Sequence, residues 1–420
     1  MSKRTERTPY LFQPFPKEDS RGKMLLVITT VMVVLGTAFV GSASEGRTIA
    51  TGGTPMSILG HSIAYAVIGG FALFMVSKVQ LQKLLRFSTI LLYVALFALV
   101  AVWKSGVSVN GGQRWLNLHL IVFQPSELFK LATVLYIGSM IQKHNLTLGR
   151  ASYLLRYLVP VLGGFGLILL EPDMGTSSMV IAITLTMLIT AGMSRKFILS
   201  ASAILFLGLV GFVKVKSYAW SRFTSFLHFG QFQHSLNYQI DQSKTAIGSG
   251  GLTGLGFGHS RAKWGLLPNP HTDFIFSILG EEMGLIGALV VISLFAWFLL
   301  VAVRIAARCT NQAYRYVAMG ITVWIGLEAI INIASVMGWW AVTGIPLPFF
   351  SYGGTSLIME MIAVGILYNI ANDRSVSKDL TIREFQTVRH PVSIGHFRDE
   401  RIRRHRQAPV STVRRPQPRY

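Results

Sequence analysis

Asp273 is the acid best placed for chemistry in this chain. It sits in His271-Thr272-Asp273-Phe274-Ile275-Phe276-Ser277, where a long polar loop runs into an apolar segment. A carboxylate at such a junction can serve as a general base, because partial burial raises its pKa towards neutrality and nearby cations lower it. His271 and Arg261 are close enough in sequence to tune it. Locally, the same aspartate also reads as a helix N-cap, since Asp before an apolar run is a standard cap and Glu281-Glu282 follow. The local pattern favours the cap, and only the wider pattern favours the base.

The loop before Asp273 is basic. Lys214, Lys216, Arg222, Lys244, Arg261 and Lys263 outnumber Asp241 and Asp273, which suits an anionic substrate such as a diphosphate better than accidental charge. Its glycine run, Ile247 to Gly258, reads either as a flexible turn or as a backbone nest for an anion. Glu127 and Lys130 are three apart and share one helix face. With Glu328 and Glu360 they lie inside apolar runs, as buried clamps or as the lining of a substrate cavity. Arg114-Trp115 after Gly111-Gly112, the tight turn Glu171 to Thr176, and Ser351-Tyr352-Gly353-Gly354 after Pro346 and Pro348 add turns that combine glycine with polar groups. Together they describe a cavity open to one side of a membrane.

The elements that must position these residues are membrane helices. The chain has 420 residues, 51% hydrophobic and only 14% charged, against about 25% charged in soluble domains. Apolar runs of about 20 residues, the length that crosses a bilayer as a helix, recur along it. Ten are predicted: 24–43, 57–77, 85–103, 126–142, 153–170, 174–193, 197–216, 275–303, 314–337 and 350–371. The fold class expected is therefore all-α, a polytopic membrane protein with ten transmembrane helices and one large extracytoplasmic loop, 217–274. The first run starts late and lacks a cleavage site, so it reads as a retained helix. Lys78, Lys83, Arg86, Lys143, Arg150, Arg195, Lys196, Arg304, Arg308 and Arg315 fall in alternate loops, which places both termini in the cytoplasm.

Residues 1–23 and 372–420 read as cytoplasmic tails, the second strongly basic through Arg401, Arg403, Arg404, Arg406, Arg414 and Arg415. Net charge of +21 would also suit nucleic acid. The basic residues flank apolar runs instead of forming a compact domain, so membrane lipid is the expected anionic partner and nucleic acid is not. Cys309, the one cysteine, excludes an intrachain disulfide and reads as an inert thiol.

Taken in order, these motifs resemble the SEDS family of cell-wall polymerases, the FtsW/RodA/SpoVE group. The resemblance covers residues 24–371. It is carried by Gly112-Gln113-Arg114-Trp115, Gln124-Pro125-Ser126-Glu127, Pro172-Asp173-Met174-Gly175-Thr176, Tyr238-Gln239 with Gln242-Ser243, and Leu267-Pro268 leading to His271-Thr272-Asp273-Phe274. Glu281-Glu282 and Pro346-Leu347-Pro348 with Ser351-Tyr352-Gly353-Gly354 complete it. Ser260 to Gly265 with Leu267-Pro268-Asn269 looks more like the division member than the elongation member. Three positions depart from the pattern: Glu171 stands where Gln usually precedes Pro-Asp, His119 stands near a usual Gly, and Trp340-Ala341 replaces a common Leu-Pro.

The resemblance implies a peptidoglycan glycosyltransferase that joins lipid II outside the plasma membrane and releases undecaprenyl diphosphate. Its essential acid would be Asp273. Arg114, Trp115, Glu127, Lys130, Lys244, Arg261, Lys263, His271, Ser351 and Tyr352 are the expected substrate-binding residues. Arg114, Arg261 and Lys263 are expected on the diphosphate. A divalent cation, Mg2+ or Mn2+, could share that charge, although no dense ligand cluster marks a site. The expected partners are lipid II and the growing glycan strand, a septal class B penicillin-binding protein (a transpeptidase) and other division proteins. The expected location is the division septum. A lipid II flippase and an elongation-type polymerase are the alternatives; a docking scaffold would leave Asp273 and the basic loop unexplained.

Overall fold

The structure is a computed structural model and describes residues 20–50, 56–109, 112–117, 122–144, 151–215 and 236–372. These lie within one compact unit, Met1–Asp373. Each of the ten apolar runs is helical. They form α1 (Ser20–Ala50), α2 (Met56–Lys78), α3 (Leu81–Ser105), α4 (Pro125–His144), α5 (Ala151–Leu170), α6 (Met174–Thr190) and α7 (Arg195–Val215). After α8 (Leu236–Ser249) come α9 (Ile275–Arg308), α10 (Gln312–Val336) and α11 (Gly354–Ala371). Six of them, α1, α2, α3, α9, α10 and α11, are long and apolar enough to cross a bilayer, and the protein is a multi-pass membrane protein. Helix α1 begins at Ser20, inside the expected tail of residues 1–23. The rest of that tail, and residues 373–420, lie outside the described residues.

Two features depart from the all-helical expectation. The connection from α3 to α4 holds three short antiparallel strands, β1 (Val107–Val109), β2 (Gly112–Asn117) and β3 (Val122–Phe123), in the order β1-β2-β3. Val107 pairs with Trp115 and Leu116 with Phe123. The loop 217–274 is not loop throughout, because α8 occupies Leu236–Ser249 within it.

Helix α4 is buried along nearly its whole length and packs against α3, α6 and α10. Small residues allow the close approaches. Gly138 faces Val317 on α10, Gly164 on α5 faces the Phe129 ring, and Gly365 on α11 faces the Leu73 backbone on α2. Outward faces stay apolar, as lipid requires: Phe71, Phe97, Leu199, Ile204 and Ile286 are all exposed.

The connections sort to the two ends of this bundle. Arg114 of β2 donates to Pro172 O between α5 and α6 at 2.6 Å, and Ser351 ahead of α11 donates to Thr272 O ahead of α9 at 2.6 Å. At the other end Asn369 donates to Val76 O at 3.2 Å, and Gly22 lies against Tyr368 and Asn372. This is the arrangement that alternate crossings produce.

Candidate active site

Asp273 stands one place before Phe274, the residue in the cap position of α9, which makes no side-chain cap bond. The backbone of Asp273 is tied down. Asn332 on α10 donates to Asp273 O at 2.9 Å and to Ile345 O at 2.8 Å, joining the start of α9 to the irregular segment 341–347. Beside it, Ser351 Oγ accepts from Leu347 N at 2.8 Å, and Tyr352 N donates to His271 O at 2.9 Å. The His271 and Tyr352 rings are 5.8 Å apart. Ser351, Tyr352 and His271 thus form the strap that fixes the aspartate.

Gly344 marks where the site converges. Its φ is 75°, a conformation that favours glycine. A Cβ added there would lie 3.7 Å from Asp273 Oδ2 and 3.9 Å from Arg114 Nη1. Carboxylate and guanidinium therefore flank one backbone point, although Asp273 and Arg114 are far apart in sequence. Arg114 also reaches Asp173 at 3.7 Å, while Asp173 caps α6 by accepting from Thr176 N at 3.1 Å and Thr176 Oγ1 at 2.9 Å. Next to them Glu171 is buried, with no hydrogen-bond partner for Oε1. Burial pushes its pKa up to about 8; the Asp173 charge pushes the same way and Arg114 opposes both.

Other expected site residues lie elsewhere. Lys263 is fully buried: its ammonium meets Glu45 of α1 at 2.6 Å and Glu282 of α9 at 3.9 Å, and donates to Gly258 O at 2.7 Å and Ser42 Oγ at 3.3 Å. That corrects its reading as a diphosphate contact, because every direction of the ammonium is taken. Glu281 organises the same loop, accepting from Arg261 N at 3.0 Å and Ala262 N at 3.2 Å. The Arg261 side chain is exposed. The glycine run is no anion nest: Gly254 N donates to Gly250 O at 2.8 Å, and Leu255 N and Gly256 N to Glu281 O and Glu282 O, each at 3.0 Å.

Glu127 and Lys130 form a buried clamp. Lys130 pairs with Glu127 at 2.9 Å and with Glu328 on α10, and lies 5.0 Å from the centre of the Trp324 ring. The two residues read as substrate contacts therefore bind each other and a second helix. Glu360 accepts from Phe349 N at 2.8 Å, holding a phenylalanine whose φ of 64° is strained for a bulky residue. The Lys244 side chain runs over Gly338, in the turn after α10. Trp115 is half-buried on β2.

Asn332 and Gly344 were missed. Asn332 had a signal, a polar residue inside an apolar run; Gly344 had none beyond its place in a turn. Among the described residues no group of three or more His, Cys, Asp or Glu could hold a metal ion.

The family model described as cell cycle protein, FtsW/RodA/SpoVE, matches residues 23–376. A probable peptidoglycan glycosyltransferase FtsW from Trichlorobacter lovleyi is 35% identical over 352 residues, covering 83% of this chain and 92% of the relative. Stage V sporulation protein E of Bacillus subtilis is 34% identical over 363 residues, covering 84% and 98%. Among solved structures, a chain from a peptidoglycan synthase complex that coordinates polymerization and crosslinking matches with TM-score 0.71 at 24% identity, over 84% of this chain and 98% of that one. The rod shape determining protein RodA of Thermus thermophilus matches with TM-score 0.63 at 24% identity, over 84% and 96%. These likenesses at 24% identity establish the fold.

Proposed function

Because the chain belongs to the FtsW/RodA/SpoVE family of cell cycle proteins, we propose that it is a peptidoglycan glycosyltransferase that polymerises lipid II at the outer face of the plasma membrane. The observation that carries the assignment to a site is the meeting of Asp273 and Arg114 at Gly344. In this reading the growing glycan is the donor, held by its diphosphate. The acceptor is a lipid II whose glucosaminyl 4-hydroxyl attacks the anomeric carbon of the donor. Asp273 takes the hydroxyl proton as the bond forms. Arg114 stabilises the departing undecaprenyl diphosphate, as a fixed cation placed where negative charge develops. Arg261, exposed on the neighbouring loop, draws the anionic substrate in. A Mg2+ or Mn2+ ion accompanying the diphosphate would share the charge.

Ten crossings with both termini inside put this site on the outer face. The meeting of the α3–α4, α5–α6, α8–α9 and α10–α11 connections at one end supports that topology. We also propose a septal transpeptidase as partner and a place at the division septum; the partner is supported by the likeness to a chain from a complex that coordinates polymerization and crosslinking. The transporter reading would draw on the charges inside the bundle, but Lys130, Glu127 and Glu328 are spent on one another. The test is purified protein with fluorescent lipid II, with and without its transpeptidase, scored for glycan ladders. Asp273→Asn and Asp273→Ala are expected to insert normally and make no ladders. Ladders of wild-type length from Asp273→Asn would remove the general base.

A further inference from the structure

We propose that Glu171 is a positioning residue that governs how much positive charge Arg114 presents to the diphosphate: protonated, it leaves the guanidinium available; ionised, it neutralises it. The inference rests on Arg114 as the diphosphate cation. Arg114 grips the two residues that follow Glu171, through Pro172 O at 2.6 Å and Asp173 at 3.7 Å. Glu171 therefore lies in the turn that the guanidinium holds. The residue is 2% exposed, and its carboxyl oxygen Oε1 is buried without a hydrogen-bond partner. A buried carboxylate lacking donors is costly, so the neutral acid is the form the site favours.

Three elements bring charge to this turn: β2 brings Arg114, the start of α6 brings Asp173, and the start of α9 brings Asp273 across Gly344. Segment 341–347 also packs here, where Gly175 meets Ile345 and Thr343 without adding charge. Two carboxylates already attend the arginine. Ionising Glu171 adds a third, so surroundings that already hold more negative than positive charge become more negative still around an anion-binding cation. Burial and Asp173 place that ionisation at about pH 8. The sign follows: below it Glu171 is neutral and Arg114 is effective, and as pH rises through it the hold on the diphosphate weakens.

The experiment compares initial lipid II polymerisation rates of wild type, Glu171→Gln and Asp273→Asn from pH 6 to 9.5, with thermal midpoints measured in the same detergent. Glutamine keeps the shape and cannot ionise. Wild type is expected to be roughly tenfold slower at pH 9 than at its neutral plateau, since a required protonation state is lost about tenfold per unit above its pKa. In Glu171→Gln that ratio is expected to fall towards one, with the wild-type alkaline rise in KM removed. The same alkaline limb in Glu171→Gln would overturn the proposal. So would a uniformly slow, thermally weakened Glu171→Gln with an unaltered profile, which marks a structural side chain. Activity in Asp273→Asn would sink the base assignment while leaving the Glu171 comparison readable.

Discussion

Lys263 has its whole side chain out of solvent, between Glu45 on α1 and Glu282 on α9. Glu45 is partly exposed and can turn to water, but removing Lys263 leaves the buried Glu282 carboxylate without its cation, and breaking a buried pair costs about 3–5 kcal/mol. Lys263→Ala is therefore expected to lower the thermal midpoint in detergent. The loss should change little with salt, because a buried pair is weakly screened. Wild-type stability together with a salt-sensitive loss of lipid II affinity would return Lys263 to the substrate. Its role was illegible in the sequence because Glu45 lies 218 residues away, and a lone cation in a basic loop looks like its neighbours. Asp273 was legible as a candidate but not as a choice between cap and base. The bonds of Asn332 and the placement of Gly344 beside Asp273 are what support the base, and neither is a local pattern.

Helix α9 is broken at Gly284, whose φ of 64° and ψ of −164° lie in a region that only glycine occupies readily. The break opens its backbone to the glycine run: Leu285 N donates to Gly251 O at 2.9 Å and Ile286 N to Leu252 O at 3.1 Å. Any side chain at Gly284 would strike the Leu252–Gly254 backbone. Gly284→Ala is expected to cost about 1–3 kcal/mol. Hydrogen exchange should quicken at Leu255, Gly256, Leu285 and Ile286 while α4 stays protected; unchanged protection there would mean that the break does not hold the loop. The helices were readable because ten apolar runs announce them. The break was not, since Ile275–Val303 contains no proline and its glycines look alike. The small sheet did leave a signal, Asn110-Gly111 after the alternating Val107-Ser108-Val109, which is hairpin chemistry hidden inside a long helical pattern.

For the whole molecule, the tail beyond α11 lies outside the described residues. Its arginines can each contribute about 1 kcal/mol of attraction to an anionic membrane surface. Deleting residues 376–420 is expected to leave ladder formation in detergent intact and to reduce septal fluorescence in cells. Loss of ladders on truncation would tie the tail to chemistry, and normal septal signal would make it unselective charge. Membrane class and helix order were plain in hydropathy. The crossing of connections at one end was implied by alternation, but which residues would touch there was not. One such touch reaches further than its size. The Asn332 amide, forked between Asp273 O and Ile345 O, fixes the proposed base relative to Gly344 before any lipid arrives. The entropy of aligning catalyst parts is then lost during folding and not at each turnover. What remains to be ordered is the substrate itself, a mobile lipid and a long polymer, so variants that loosen this fork should slow the chemical step more than they weaken substrate capture.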